Sequence, residues 1–304
     1  MSDFVHIPVL LNQTVESFNL QNGDWFLDAT LGGAGHAKAI LSRNPQLNKY
    51  IGFDQDQEAI AAAKKNLKSF KNVEYVNQNF VNAPQYLEGK QFGGILADIG
   101  VSSHQIDTPE RGFSFNKNGK LDMRMNLKNE FSAYSVINGY SEKSLADIIY
   151  KYGEEKDSRK IAAAIVKARQ NKPIETTLQL QQIVANASFK KPMDAVQKTF
   201  QAIRIEVNDE LEVLKEFITG AFKMLRSGGR LAIITFHSLE DRIVKNAFAD
   251  LCKGCICPPS FPVCVCGHKP EGKLITKKPI TATNEQIKEN PRCACAKLRV
   301  IEKL

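Results

Sequence analysis

Apolar positions along this chain fall into two rhythms. Between Gly23 and Gly100, short apolar runs at 25–28, 50–54, 73–78 and 94–99 alternate with amphipathic stretches at 35–43, 57–69 and near 82–88. Runs of that length, rich in β-branched and aromatic residues, predict buried strands, and the stretches between them predict helices. The second helix carries Glu58 at its start, four alanines between 59 and 63, and Lys64 and Lys65 towards its end, which suits both propensity and the helix dipole. Alternation of this kind predicts a parallel sheet with right-handed crossovers.

After Gly100 the rhythm changes. Residues from about 105 to 205 offer no convincing strand, only helical patterns punctuated by Pro173 and Pro192. Ser141 reads as an N-cap ahead of Leu145, Ile148, Ile149 and Tyr152, with Gly153 as the stop, and Thr176 with Gln179 forms a candidate capping box. Sheet rhythm then returns as a helix over 208–226, a Ser227-Gly228-Gly229 turn, a strand over 230–236 and a last strand over 297–301. The expected architecture is α/β: a doubly wound, Rossmann-like sheet domain built from 1–104 and 206–304, with an all-helical domain inserted at 105–205.

The chain has 304 residues, 43% hydrophobic and 24% charged, as in ordinary globular proteins. No apolar run reaches the roughly 18 residues of a membrane span, and the stretch Val5–Leu11 is too short for a secretory signal and lacks a basic leader. A soluble, cytoplasmic protein is expected. The net charge is +8, and from Cys252 onward eight Lys and two Arg face four Glu, so most of the excess lies in the last fifth of the chain. Such a region suits a polyanion such as RNA, or is simply a solvated face.

Candidate chemistry gathers at the strand ends. The first strand ends in Asp28, followed by Gly32-Gly33-Ala34-Gly35-His36; the second ends at Asp54 and the fourth at Asp98. In a doubly wound sheet these places face a nucleoside-type cofactor, with Asp54 placed to accept from ribose hydroxyls. A nicotinamide site would want G-x-G-x-x-G, but the third glycine position is Lys38. An acid at Asp28 would repel a pyrophosphate, whereas beside the sulfonium and amino-acid tail of S-adenosylmethionine (SAM) it is readily explained. Six of seven cysteines cluster as C-x-C pairs, at Cys255 and Cys257, Cys264 and Cys266, and Cys293 and Cys295. The first four could hold a structural zinc or be reduced thiols; one-residue spacing is unusual for zinc, and no metal is expected in the chemistry.

Several runs together resemble one family. They are His6–Leu10, Asp28–His36, Asp98–Ser103, Glu110–Phe115, Leu121–Met125, Phe200–Asn208, Phe236–Arg242 and Asn290–Arg292. The pattern is similar to the RsmH (MraW) family of SAM-dependent small-subunit rRNA (cytosine-N4) methyltransferases, from about residue 6 to 301. The resemblance implies a class I methyltransferase fold with an inserted helical domain, and methylation of a cytidine in the decoding region of 16S rRNA in the small ribosomal subunit. Carried over by motif, SAM contacts fall on Ala34, Gly35, His36, Asp54, Phe80, Asp98 and Gln105. Asp98 is the candidate acceptor for an amine proton, and Arg111, Arg124, Arg204, Arg242 and Arg292 are candidates to face RNA. His237, at a strand end, is either a substrate contact or a hydrogen-bonded structural residue. The chain departs from the family at His104, where proline is frequent, and at Cys293-Ala294-Cys295. Rival readings are a SAM enzyme acting on another RNA or a protein, and a non-catalytic ribosome-assembly factor.

Overall fold

A computed structural model describes residues 8–255, 257–258, 261, 263 and 265–304. In chain order it begins with α1 (Leu11–Glu16), β1 (Trp25–Asp28), α2 (Gly35–Arg43), β2 (Lys49–Phe53), α3 (Gln57–Asn66), β3 (Val73–Val76), α4 (Ala83–Tyr86) and β4 (Phe92–Asp98). Six helices follow: α5 (Ser103–Asp107), α6 (Ala133–Gly139), α7 (Glu142–Gly153), α8 (Ser158–Asn171), α9 (Thr177–Ala187) and α10 (Pro192–Asn208). The chain then forms α11 (Glu210–Met224), β5 (Leu225–Thr235), α12 (Ser238–Leu251), β6 (Gly272–Leu274), β7 (Ile280–Thr281), α13 (Asn284–Glu289) and β8 (Lys297–Lys303). Chain contacts separate two compact units, one up to Gly100 together with Leu211–Leu304, the other Val101–Glu210.

The first unit is one sheet in the order β3-β2-β1-β4-β5-β8-β6, with β7 also paired to β8. Strands β1 to β5 run parallel, and β8 runs antiparallel to its neighbours. The order reverses at β1 and β4, so the carboxyl ends of β1, β2 and β4 lie at the switch point where such sheets bind ligands. Both faces are covered. One holds Leu27, Ile51, Phe53, Ile95, Ile233 and the α11 residues Leu214, Phe217 and Ile218; the other holds Phe26, Tyr50, Leu96, Ile234 and the α2 residues Ala37, Ile40 and Leu41. Strands buried on two sides read as continuous apolar runs, which is why they were visible in the sequence.

The second unit packs α6 to α10 around Leu145, Ile149, Ile161, Ile165, Leu180, Val184, Val196 and Ile203. Ser141 accepts from the Ser144 backbone and Glu154 follows Gly153 in the left-handed conformation, while Thr176 and Gln179 close the expected capping box. The expected helix over 208–226 begins later, because Asp209 sits at φ 49° and separates α10 from α11. The Ser227-Gly228-Gly229 turn lies within β5 as an irregularity opposite the start of β4, where the register jumps from Phe92–Leu225 to Gly94–Arg230. Among the described residues no helix is long and apolar enough to cross a membrane.

Candidate active site

Three carboxylates stand at adjacent strand ends, and the chain treats each differently. Asp28 is 2% exposed. Its Oδ2 accepts from the Tyr50 hydroxyl at 2.8 Å and its Oδ1 from the Thr30 backbone at 3.1 Å. Burial pushes its carboxyl up to about 7, against the pull of those two bonds, and the Asp54 charge adds to the rise. Each Asp28 oxygen is thus engaged by one hydrogen bond from within the protein.

Asp54 is half-buried, with Oδ2 accepting from Gly32 N at 2.9 Å and Oδ1 from Asp56 N at 2.8 Å. These bonds fix the plane of the carboxylate against the glycine loop. Asp98 is the least satisfied of the three. Its backbone N–H donates to Thr30 Oγ1 at 2.6 Å, but the covered Oδ1 atom finds no hydrogen-bond partner. Oδ2 lies 3.7 Å from His36 Nδ1, beyond hydrogen-bond length. Burial first, then the charges of Asp28 and Glu240, push Asp98 up to about 8.

The loop between β1 and α2 is pinned on several sides. Leu31 N donates to Phe53 O at 2.8 Å, and Asn66 Nδ2 donates to Gly33 O at 2.9 Å. Ala34 adopts a left-handed conformation, φ 65° and ψ 28°, as the residue before α2, an arrangement that costs about 1–2 kcal/mol for an alanine. Gly33 is exposed, with nothing within 4 Å of where a Cβ would sit. At Gly35 a Cβ would meet Pro8 Cγ at 2.2 Å, so the missing side chain makes room for the N-terminal segment. His36, 7% exposed, shares that contact, its Nε2 lying 3.0 Å from Val9 O. Since a carbonyl only accepts, Nε2 carries the proton. An open glycine cradle, a carboxylate at Asp54 held in plane, and a half-buried acid at Asp98 with one covered oxygen unpartnered fit an adenosine-bearing cation.

A family model described as the MraW methylase family matches residues 3–304. The chain is 50% identical over 308 residues to "Ribosomal RNA small subunit methyltransferase H" of Clostridium botulinum (strain Loch Maree / Type A3), covering 99% of this chain and 100% of the relative. It is 47% identical over 310 residues, with the same coverage, to the protein of that name in Clostridioides difficile (strain 630). The chain belongs to the MraW methylase family. It is accordingly a methyltransferase dependent on SAM.

Within this MraW chain the remaining candidates divide. Phe80, in the turn after β3, is half-buried and meets Phe217 edge-to-face with centroids 4.8 Å apart, so one side of the ring is core. Gln105, in the helical unit, is 5% exposed and its Oε1 accepts from Ser102 N in a capping box. His104 is exposed on α5. His237 is a cap: its Nδ1 accepts from Glu240 N at 3.4 Å, while Glu240 Oε2 accepts from the backbones of Phe236 and His237. Of its two readings, the geometry shows the structural one.

Three of the arginines expected to face RNA are used inside the helical unit. Arg111, 5% exposed, donates to the carbonyls of Arg124 and Met125; Arg124 forks onto Asp122 at 2.8 and 2.7 Å; Arg204 forks onto Glu210 at 2.8 Å through both nitrogens. Arg242 is exposed and Arg292 half-buried. Part of the basic C-terminal excess is also internal, since Arg299 and Lys297 both pair with Asp241. Cys293 is buried, Cys295 is exposed, and Cys264 lies outside the described residues.

Sequence reading missed Thr30, Tyr50 and Glu240. Thr30 joins two strand ends by donating its N–H to Asp28 and accepting from Asp98 N. Tyr50 looked like one more strand residue. Glu240 is fully buried beside the site; besides lying in the run Phe236–Arg242, its signal was the three-residue spacing from His237 that a capping box requires.

Proposed function

We propose that this methyltransferase modifies the exocyclic N4 amine of a cytidine in the decoding region of 16S rRNA, acting on the small ribosomal subunit in the cytoplasm. The names of its relatives support the rRNA class. The observation that carries the chemistry is the buried Asp98 Oδ1 without a partner at the end of β4. Ala34, Gly35, His36, Asp54, Phe80, Asp98 and Gln105 are assigned to the cofactor, with Gly35 and His36 acting through the shape of the loop. The helical unit, residues 101–210, is assigned to substrate recognition.

When bound, SAM supplies a methyl group made electrophilic by its sulfonium. Cytosine's amine is a poor nucleophile because its lone pair is delocalised into the ring. Asp98 Oδ1 accepts one amine N–H, which orients the nitrogen and favours a localised lone pair. Holding acceptor and methyl carbon in line can supply roughly 7–11 kcal/mol. With SAM bound as methyl donor and S-adenosylhomocysteine as its leaving product, Asp98 would take the surplus proton from N4. Charge favours this order of events. A cation beside Asp98 would favour its ionised form, and without one burial and the charges of Asp28 and Glu240 hold its carboxyl up at about 8, where it can keep a proton.

The test uses small subunits lacking the modification, purified protein and methyl-labelled SAM, with the rRNA digested and its nucleosides resolved by mass. Label in N4-methylcytidine is expected from the native chain, and none from Asp98→Asn at matched SAM occupancy. Label in another nucleoside would overturn the target, and full turnover by Asp98→Asn would overturn the acceptor role.

A further inference from the structure

The segment 252–271 links α12 to β6. Its base is closed where Glu271 N donates to Leu251 O at 2.9 Å, and among its described residues from Lys253 to Pro270 none is buried. Phe261, Val263 and Val265 point outward, at 50%, 70% and 72% exposed. With no buried side chain among its described residues, a loop of this length has little there to offset its conformational entropy, and loops beyond about 12–15 residues are uncommon in compact domains unless something orders them.

The thiols converge inside it. The Sγ atoms of Cys255, Cys257 and Cys266 all lie within 4.8 Å of one another, and Cys255 Sγ and Cys266 Sγ are 3.8 Å apart. Zinc–thiolate bonds of about 2.3 Å in a tetrahedron put neighbouring sulfurs about 3.8 Å apart. Residues eleven apart in sequence have been brought to that spacing, although neither belongs to a helix or strand. The Val265 backbone N–H is also aimed at Cys257 Sγ at 3.4 Å, the kind of donor that stabilises a ligating thiolate. C-x-C pairs look unsuited to zinc when each pair is taken alone. The fold answers that by taking ligands from both ends of the loop.

We propose that Cys255, Cys257 and Cys266 bind a zinc ion that clips this loop closed, a structural site separate from methyl transfer. A crosslink across a long loop removes closure entropy from its open states, so the metal orders a segment that packing does not.

The experiment purifies the full chain under reducing, metal-scavenged conditions and measures zinc by elemental mass spectrometry, beside Cys255→Ser/Cys257→Ser/Cys266→Ser. The loop is exposed, so circular dichroism and SAM binding should be unchanged in the variant. About one zinc per chain is expected in the native protein, with at least roughly tenfold less in the variant. Cobalt(II) added to the metal-free native chain should give thiolate-to-metal charge-transfer absorption that the variant lacks. Zinc at background in the native chain with no such absorption would overturn the site, as would equal zinc in both proteins. Recovery of Cys255 and Cys266 as a disulfide from reducing conditions would also overturn it.

Discussion

The Tyr50 hydroxyl on β2 donates to Asp28 Oδ2 on β1 at 2.8 Å, inside a core where Tyr50 is fully buried and Asp28 nearly so. One bond thereby satisfies a buried phenol and half of a buried acid, and holds the strand end from which the cofactor loop departs. Tyr50→Phe should destabilise the chain by about 1–3 kcal/mol, the cost of leaving a buried acceptor unmade. A lowered denaturant midpoint with an unchanged slope checks it.

Stability should fall as pH rises from about 4 to about 8. The carboxyls of Asp28 and Asp98 are raised from 3.8 to about 7 and about 8, so in that window the folded chain binds more protons than the unfolded one. Each group contributes a slope of at most about 1.4 kcal/mol per pH unit, fully developed only between its unfolded and folded values. Asp98→Asn should stabilise the chain at neutral pH by about 1–3 kcal/mol and flatten the profile between pH 7 and 8. Urea titrations of both proteins at several pH values measure this.

SAM affinity should rise with pH and level off above about 8, because a cation binds best once Asp98 has lost its proton. The dependence should approach tenfold per pH unit at its steepest and be shallower for S-adenosylhomocysteine, which lacks the sulfonium charge. Calorimetry in buffers of different ionisation enthalpy would show proton release on binding SAM; no release would refute the coupling.

Two glycines of the loop should separate. Gly33→Ala adds a methyl group in open space and should change stability by less than about 0.5 kcal/mol, so any loss of SAM affinity reports contact with the cofactor. Gly35→Ala drives a Cβ to 2.2 Å from Pro8 Cγ and should cost about 1–3 kcal/mol by overpacking. Melts with and without SAM distinguish the two.

Arg204→Ala should act on folding before RNA. The mutation strands Glu210, 5% exposed at its side chain, without its bidentate partner. Breaking such a pair costs about 3–5 kcal/mol. A chain that keeps its melting temperature but loses RNA affinity would return Arg204 to the RNA-facing set.

The sheet was legible because buried parallel strands must be apolar and must alternate with helices, and β1, β2 and β4 each carry that mark followed by an acid. Capping boxes such as Thr176–Gln179 were legible because they are local, closing within one helical turn. The arginines are the complementary case. Arg111, Arg124 and Arg204 look alike in sequence, and only their surroundings show that each is already engaged.

Local order and backbone chemistry thus follow from the chain itself: the strand rhythm, the glycine loop, the acids at strand ends and the family to which they point. Tertiary structure alone decided how those groups share their partners. It satisfied Asp28 through Tyr50, left Asp98 Oδ1 without a partner, filled the space above Gly35 with Pro8, and drew three sulfurs together from the two ends of one loop. Periodicity and propensity act over a few neighbouring residues. Burial, charge coupling and ligand convergence depend on distances between residues that only folding brings together.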